Sequence, residues 1–384
     1  MELLGGNWLV KPVASGTIRP PRQAVENPPE TLTEPPRPMS ESTIPAAPRI
    51  AVVVNGNAKS VTDEVISTLD RILAGGDLFV SRRLSDLREI AKTILGRGYS
   101  TVLTGGGDGT FTAVVTAVVK EARRQGLPIP RFGLLKLGTG NALAWVVGAT
   151  SSGLRGLSAD IERLQSDAGS RPIHLVEVEG RIAPFCGFGA DAQLLADYDK
   201  TKGLLLKTPL RSVAPGALSY GLAAVTRTIP TSVFLPMPHV RISNAGDTAF
   251  RIGAKGSRVG GPYLNGDTLY EGPARIVALS TIPYWGFGFR AFPYANERID
   301  RMQLRLSTIS AGPFLRNFKS IWRGDYEASD MLFDYLVEAV KIEVDPPSPF
   351  QIGGDYFGIR DKVEAKLSCE PIRIVDFYAP PSAS

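Results

Sequence analysis

The chain has 384 residues, 43% of them apolar and 21% charged, which suffices for two or three domains with sizeable cores. Its formal net charge of +5 is mild, with no long Lys/Arg run, no aromatic-basic interleaving and no zinc-finger spacing, so nucleic acid is not an expected partner. Two cysteines, Cys186 and Cys369, argue against a disulfide framework and fit a reducing compartment, and two distant histidines, His174 and His239, give no Cys/His metal pattern.

The opening "MELLGGNWLVKP" lacks the basic leader and apolar core of a signal peptide, and no apolar run approaches the length of a membrane span. A cytoplasmic chain touching a membrane surface transiently is the expectation. Residues 12–48 are rich in Pro, Glu, Ser and Thr and poor in large apolar side chains, so residues 1–48 are set apart from the folded chain. They read as a disordered Pro-rich leader.

Order begins at "RIAVVVNGNAK", where Ile50 to Val54 is a β-branched, apolar run typical of a buried strand. Val61, Val65, Leu69 and Ile72 then recur at helical spacing, with Asp63 and Glu64 in the first turn and Gly75-Gly76 as a stop. "DLFVS" and "STVLT" read as strands, and "LSDLREIAKTILGRG" as the helix between them. "TFTAVVTAVVKEARRQG" is a helix, "RFGLL" a fourth strand, and "NALAWVVG" the start of another helix. Strands alternating with helices predict an α/β domain with a mostly parallel sheet over residues 49–170.

From residue 171 to 384 strand-like pieces punctuated by Gly, Pro, Asn and Asp dominate. They predict a β-rich antiparallel, sandwich-like domain. One helix, "PGALSYGLAAVTRTI", interrupts it, and "NFKSIWRGDY" suggests another. The last strands, "KVEAKL" and "IRIVDF", either close this sheet or return to the first domain.

Gly105, Gly106 and Gly107 follow a buried strand and open a helix, where an open α/β sheet places its ligands. Glycines admit phosphate close to the backbone, and the first helical N–H groups point at the anion. Asp108 adds a negative charge that phosphate alone disfavours, and a divalent cation would reconcile them. Thr110 can cap the helix or donate to phosphate. A second loop, Gly138, Thr139, Gly140 and Asn141, repeats the logic, and Asn55, Asn57 and Lys59 sit at the end of the first strand. Neither GxGxxG nor Walker A fits, because Thr110 and Thr139 stand where glycine and lysine are required. The residues alone leave two readings: a phosphate or nucleotide site, or tight turns serving some other ligand.

"GGGDGT" after a strand, followed by "GTGNALA", resembles the catalytic domain of the diacylglycerol kinase and sphingosine kinase superfamily. "VVNGNAK", "GFGAD" (Gly187 to Asp191) and "FPYANERIDRMQLRL" (Phe292 to Leu306) resemble further elements of it. The resemblance spans about residues 49–379. It implies a two-domain lipid kinase fold with an interdomain cleft, ATP and Mg²⁺ as cofactors, and transfer of the γ-phosphoryl group to a lipid hydroxyl at a membrane surface. A homodimer is compatible with it.

By motif, Asn55, Ser81, Gly106, Gly107, Asp108, Gly109, Thr110, Gly138, Thr139, Gly140, Asn141 and Lys200 correspond to nucleotide-contacting positions. Asp108 is also the candidate metal ligand. Asp191 corresponds to the aspartate that holds a polar lipid head. The loop carries Ala113 where family members often have Glu. The family's Asp-Gly-Glu aligns with Gly353, Gly354 and Asp355, so one carboxylate is absent and the other shortened. Asp355 is the candidate general base, with Asp108 second. The substrate implied is a sphingoid base or a diacylglycerol-like lipid. The alternatives are a catalytically impaired lipid- or nucleotide-binding protein on the same fold, or a kinase for another small hydroxylated substrate.

Tyr284, Trp285, Phe287, Phe289, Phe292 and Tyr294 crowd one stretch interrupted by Arg290. They read as an acyl-pocket lining, an interfacial surface, or packing between the domains. "TKGLLLKTPLRSV" is a second apolar stretch, framed by Lys202, Lys207 and Arg211, that could touch an anionic membrane.

Overall fold

Four strands open the fold: β1 (Ile50–Asn55), β2 (Leu78–Ser81), β3 (Thr101–Gly106) and β4 (Arg131–Lys136). They alternate with α1 (Asp63–Ile72), α2 (Asp86–Gly96), α3 (Asp108–Gln125) and α4 (Ala142–Val147), after which come α5 (Leu154–Gln165) and β5 (Ser170–Ile173). The computed structural model describes residues 49–378 except 59, 74–76, 139–140, 151–152, 166–168, 190–191, 194, 198–236 and 328–329. The helix expected at residues 215–229 and the apolar stretch around Lys202, Lys207 and Arg211 lie outside the described residues.

Local chemistry sets the helix ends. Thr62 caps α1 by accepting the Val65 N–H at 3.3 Å, with Asp63 and Glu64 facing the helix dipole. Gly126, at φ 64°, ends α3 by donating to the carbonyls of Ala122 and Arg123.

The second half carries β6 (Val176–Val178), β7 (Arg181–Ala183), β8 (Phe185–Gly189), β9 (His239–Asn244), β10 (Phe250–Ile252), β11 (Thr268–Pro273), β12 (Ile276–Ser280) and β13 (Met302–Ser307). Short helices α6 (Ala311–Arg316) and α7 (Phe318–Arg323) precede β14 (Leu332–Val337), β15 (Ala339–Ile352) and β16 (Asp355–Leu367). The final strand is β17 (Ile372–Val375).

The first sheet runs β2-β1-β3-β4-β17-β5. Its first five strands are parallel, and β5 is antiparallel to β17. The C-terminal strand therefore returns to the first sheet, with Ile374 opposite Phe132, while Asp355–Leu367 stays in the second. The segment "PIHLVEVEG" divides likewise: residues up to Ile173 join the first sheet and Val176–Val178 the second.

The second sheet is antiparallel, in the order β10-β14-β13-β12-β8-β15-β16-β6-β7, with β9 and β11 branching from β15. The long β15 explains why the sandwich-like strands form one hydrogen-bonded network. Residues 340–345 pair with β9, residues 350–352 pair with β8, and the ladder to β16 breaks between them at Pro346 and Pro347. A strand interrupted this way can serve two layers.

One core packs Val52, Val53, Leu103, Phe111, Phe132 and Leu135 around the first sheet, and a second packs Phe188, Ile242, Val277, Leu304, Phe350 and Val363 in the β half. Phe185 and Ile182 of the β half bury in the first core. The two halves lie within one compact unit, Ala47–Ser384. Helix α3 is the shared wall: Thr116 Oγ1 accepts the Ile182 N–H at 2.9 Å, and Arg123 bridges Glu177 and Glu370, each at 2.8 Å. Among the described residues no helix is long and apolar enough to cross a membrane.

Because β17 closes the first sheet from the end of the chain, truncating it should weaken the α/β half. Ile374 is 1% exposed. Ile374→Ala is expected to cost about 2–5 kcal/mol, measured as a shift of the chemical denaturation midpoint. An unchanged midpoint would show that the return strand contributes little.

Candidate active site

The strand order reverses between β1 and β3, so the crevice beyond their carboxyl ends is the expected ligand position. Asn55 ends β1 there. Its Nδ2 donates to Thr110 Oγ1 at 3.3 Å, and its Oδ1 accepts the Asn57 N–H at 3.0 Å. Ser81 lies opposite Asn55 in the β1–β2 ladder, and its carbonyl accepts the Gly56 N–H at 2.8 Å. The Ser81 hydroxyl donates to the Arg83 carbonyl at 3.1 Å. The fold thus brings Asn55, Ser81 and Thr110 to one rim.

The two glycine loops pack backbone on backbone. A side chain at Gly138 would collide with the backbone of Gly107 and Gly106, so only glycine permits this approach. Asn141 follows in the left-handed region (φ 45°, ψ 55°) and is buried. Its Nδ2 donates to the Gly138 carbonyl, while its Oδ1 is buried without a partner. Thr139 and Gly140 lie outside the described residues.

Asp108 ties these loops together. Its Oδ2 accepts the Ala142 N–H at 2.8 Å and its Oδ1 the Leu143 N–H at 3.2 Å. The first residue of α3 therefore caps α4 and satisfies donors that the helix leaves unpaired. This is a different first duty from the metal ligand expected of it. The residue is 7% exposed. Burial pushes its carboxyl up to about 6, against the pull of the two N–H bonds, and the nearby Asp355 adds to the rise.

Asp355 arrives from the β half. Residues 353 and 354 turn β15 into β16, and Asp355 pairs with Ile352 at the start of the hairpin. Its carboxylate lies directly against Gly109, in the first turn of α3. Helix N-termini favour negative charge, so the carboxylate stands where an anion is stabilised. Gln351 Oε1 accepts the Gly354 N–H at 3.0 Å, and Phe185 accepts that of Gly353 at 2.9 Å, pinning the turn.

Gly353 and Gly354 have φ of 59° and 84°. A side chain at 353 would run into Thr112 Oγ1, a buried hydroxyl without a hydrogen-bond partner. The carboxylate missing at this position is thus matched by a backbone and a neighbour that exclude it.

Basic groups not singled out in the sequence complete the rim. Arg82 follows β2, its side chain crosses Gly56, and its carbonyl accepts from Asn57 Nδ2 at 2.7 Å. Lys136 ends β4 opposite Gly106, with its amine 5.1 Å from the Trp145 ring centroid. Their signal was position: each ends or directly follows a parallel strand at the carboxyl edge. Lys200 and Asp191 lie outside the described residues. Among those described, no three His, Cys, Asp or Glu residues cluster as a metal cage.

The aromatic stretch divides between packing and surface. Tyr284 meets Trp145 of α4 at 6.3 Å, Trp285 packs on Phe289 and Phe292, and Phe292 is fully buried. Phe287 is exposed at the tip of the Gly286–Gly288 turn, at φ 51°.

A parallel α/β sheet with glycine-rich loops at its switch point thus faces a carboxylate from an antiparallel β half. Residues 49–178 match the diacylglycerol kinase catalytic domain. A protein described as "Probable lipid kinase YegS-like" from Xanthomonas oryzae pv. oryzae is 25% identical over 185 residues, covering 46% of this chain and 54% of that protein. One of the same description from Pseudomonas aeruginosa is 30% identical over 145 residues, covering 37% and 41%. The chain thus matches about half the length of these relatives. The crystal structure of a diacylglycerol kinase from Bacillus anthracis superposes with a TM-score of 0.54 at 12% identity, over 86% of this chain and 97% of that one. The similarity supports the two-part fold in its entirety.

Two substitutions test the site. Asp108 is more easily protonated folded than unfolded, so its favourable contribution is present in full below about pH 4 and is lost as pH rises through about 6. The shift corresponds to about 3 kcal/mol at most. Asp108→Asn should remove this pH-dependent loss while giving up one of the two N–H bonds, because an amide offers a single acceptor oxygen. Its stability should therefore be lower at pH 4 but flatter between pH 4 and 7. Denaturation curves at several pH values give the answer, and parallel curves for the two proteins would reject it. Gly353→Asp should destabilise by about 1–3 kcal/mol through strain and crowding, with no gain in activity. Adding Thr112→Ala should recover part of the loss. A stable, more active Gly353→Asp variant would contradict the geometry.

Proposed function

We propose that the protein is an ATP-dependent lipid kinase that moves the γ-phosphoryl group of ATP to a hydroxyl of a sphingoid base or diacylglycerol-like lipid. The observation that carries this reading is the convergence at one point, the N-terminus of α3, of two backbone-packed glycine loops and a carboxylate from the opposite half. Phosphoryl transfer is mostly a matter of positioning and charge, and this arrangement supplies both.

The N–H groups of Gly106 to Thr110 and of the Gly138–Asn141 loop would receive the phosphates. Asn55 and Ser81 would meet the nucleotide, and Arg82 and Lys136 balance its charge. Lys200 is assigned to the same phosphates by its motif. Asp355 accepts a hydrogen bond from the acceptor hydroxyl, aims its oxygen at the γ-phosphorus and takes up its proton. Asp191 holds the lipid's polar head.

Mg²⁺ fits this donor set as an ion that keeps most of its waters and is shared with phosphates. Phosphate oxygens and waters would make most of its contacts, with Asp108 adding negative charge behind, since both Asp108 oxygens already accept backbone N–H groups. When bound, Mg²⁺ neutralises charge on the transferring group.

The closed position at Gly353 favours a second reading, a protein that binds nucleotide and lipid without turnover. The first test is transfer of label from MgATP to diacylglycerol, sphingoid bases, ceramide and monoacylglycerol, alone and in competition. Transfer to one of them supports the kinase reading and names the acceptor. Tight ATP binding with no transfer to any supports the second. Asp355→Asn is expected to lower turnover about 10²–10⁴-fold with ATP affinity unchanged. Near-normal turnover would remove Asp355 from the chemistry.

A further inference from the structure

The loop between β13 and β14 carries a feature that the candidate site does not use. Helices α6 and α7 expose Phe314 (37%), Leu315 (63%) and Phe318 (45%) to solvent. These side chains sit on an aromatic ladder anchored in the fold. Phe314 meets Phe318 at 5.7 Å, Phe318 meets Trp322 at 5.4 Å, and Trp322 stacks on Phe289 at 5.2 Å. The Arg290 N–H donates to the Trp322 carbonyl at 3.0 Å, fixing the neighbouring turn whose tip exposes Phe287. The exposed rings are therefore held on a rigid base.

Charge selects the occupant. Between Ala311 and Gly324 the chain has Arg316, Lys319 and Arg323 and no Asp or Glu. All three basic residues are exposed, with Arg323 paired to Asp325 beyond the helix. Exposed Phe and Leu beside Arg316 and Lys319, with Asp325 taken up by Arg323, match the interface of a bilayer with anionic headgroups.

Position agrees. Ser307, where the chain leaves the sheet toward α6, lies abreast of Ile276 and Gly189. The helices thus depart from the end of the sheet at which β8 also finishes, at Gly189.

We infer that α6 and α7 form a docking surface for an anionic lipid bilayer, inserting Phe314, Leu315 and Phe318 among the headgroups while Arg316 and Lys319 pair with lipid phosphates. This rests on the lipid-kinase reading only for its purpose, since the surface binds or fails to bind membrane whatever the enzyme phosphorylates.

The test is sedimentation of the full chain with vesicles of phosphatidylcholine, with and without phosphatidylglycerol. Binding is expected with the anionic lipid and should weaken with salt. The double variant Arg316→Glu/Lys319→Glu should bind at least about twenty-fivefold more weakly, at about fivefold per basic residue near an anionic surface. Leu315→Glu should also weaken binding, while Leu264→Glu, an equally exposed leucine elsewhere, should not. All these positions are exposed, so folding is preserved and checked by circular dichroism. Vesicle binding unaffected by the α6–α7 variants overturns the proposal. Variants that break a self-associated form and leave vesicle binding intact also overturn it, and give the surface to a second copy. Vesicle binding lost in the variants, with no lipid phosphorylated by either protein, keeps the docking surface and rejects the kinase reading.

Discussion

The site depends on one buried carboxylate. Asp108 stands at the start of α3 and accepts the N–H groups of Ala142 and Leu143 at the start of α4. Those bonds hold the second glycine loop against the first, so closely that Gly138 and Gly107 meet backbone to backbone. The hold carries an energetic cost. Burial raises the Asp108 carboxyl to about 6, so near neutral pH the fold carries a charge that it disfavours. A buried negative charge beside two packed glycine loops trades stability for a fixed loop geometry, a trade common where function requires strain.

Helix α3 joins the two halves and orders the cleft. Its first turn meets Asp355, its second meets Gly353 through Thr112, its third takes the Ile182 N–H through Thr116, and Arg123 near its end reaches Glu177 and Glu370. The β half is thereby registered along the helix that follows the first glycine loop. The β15–β16 turn cannot shift without moving Asp355 relative to Gly109. This is how the fold places Asp355: the turn is pinned by Gln351 and Phe185, and Thr112 fills the space that a side chain at 353 would need.

The aromatic stretch shows the limits of composition. Six aromatic residues in one segment suit a lipid pocket, a membrane surface and a core about equally. In the fold they divide by position. Phe292 closes a small core with Ala278, Ala291 and Ala295, Trp285 and Phe289 build a ladder toward Trp322, and Phe287 alone is turned out at a glycine-flanked tip.

Much was legible in the chain itself. Strand and helix periods placed β1 to β4 and α1 to α3, because burial on both sheet faces leaves unbroken apolar runs and burial on one helix face leaves a 3.6-residue repeat. Glycine spacing placed both loops at strand ends, and the family pattern pointed to Asn55, Ser81, Asp108 and Asp355. Those signals are local. Contacts between residues far apart in sequence leave no such trace. Only the tertiary structure could show that Asp108 caps a helix 34 residues on, that β17 returns to the first sheet beside Phe132, and that Gly353 is closed to a side chain by Thr112. Sequence determined which residue types stand at each turn of the chain. Folding decided which of them share hydrogen bonds, burial and charge, because those depend on distances that only the packed chain sets.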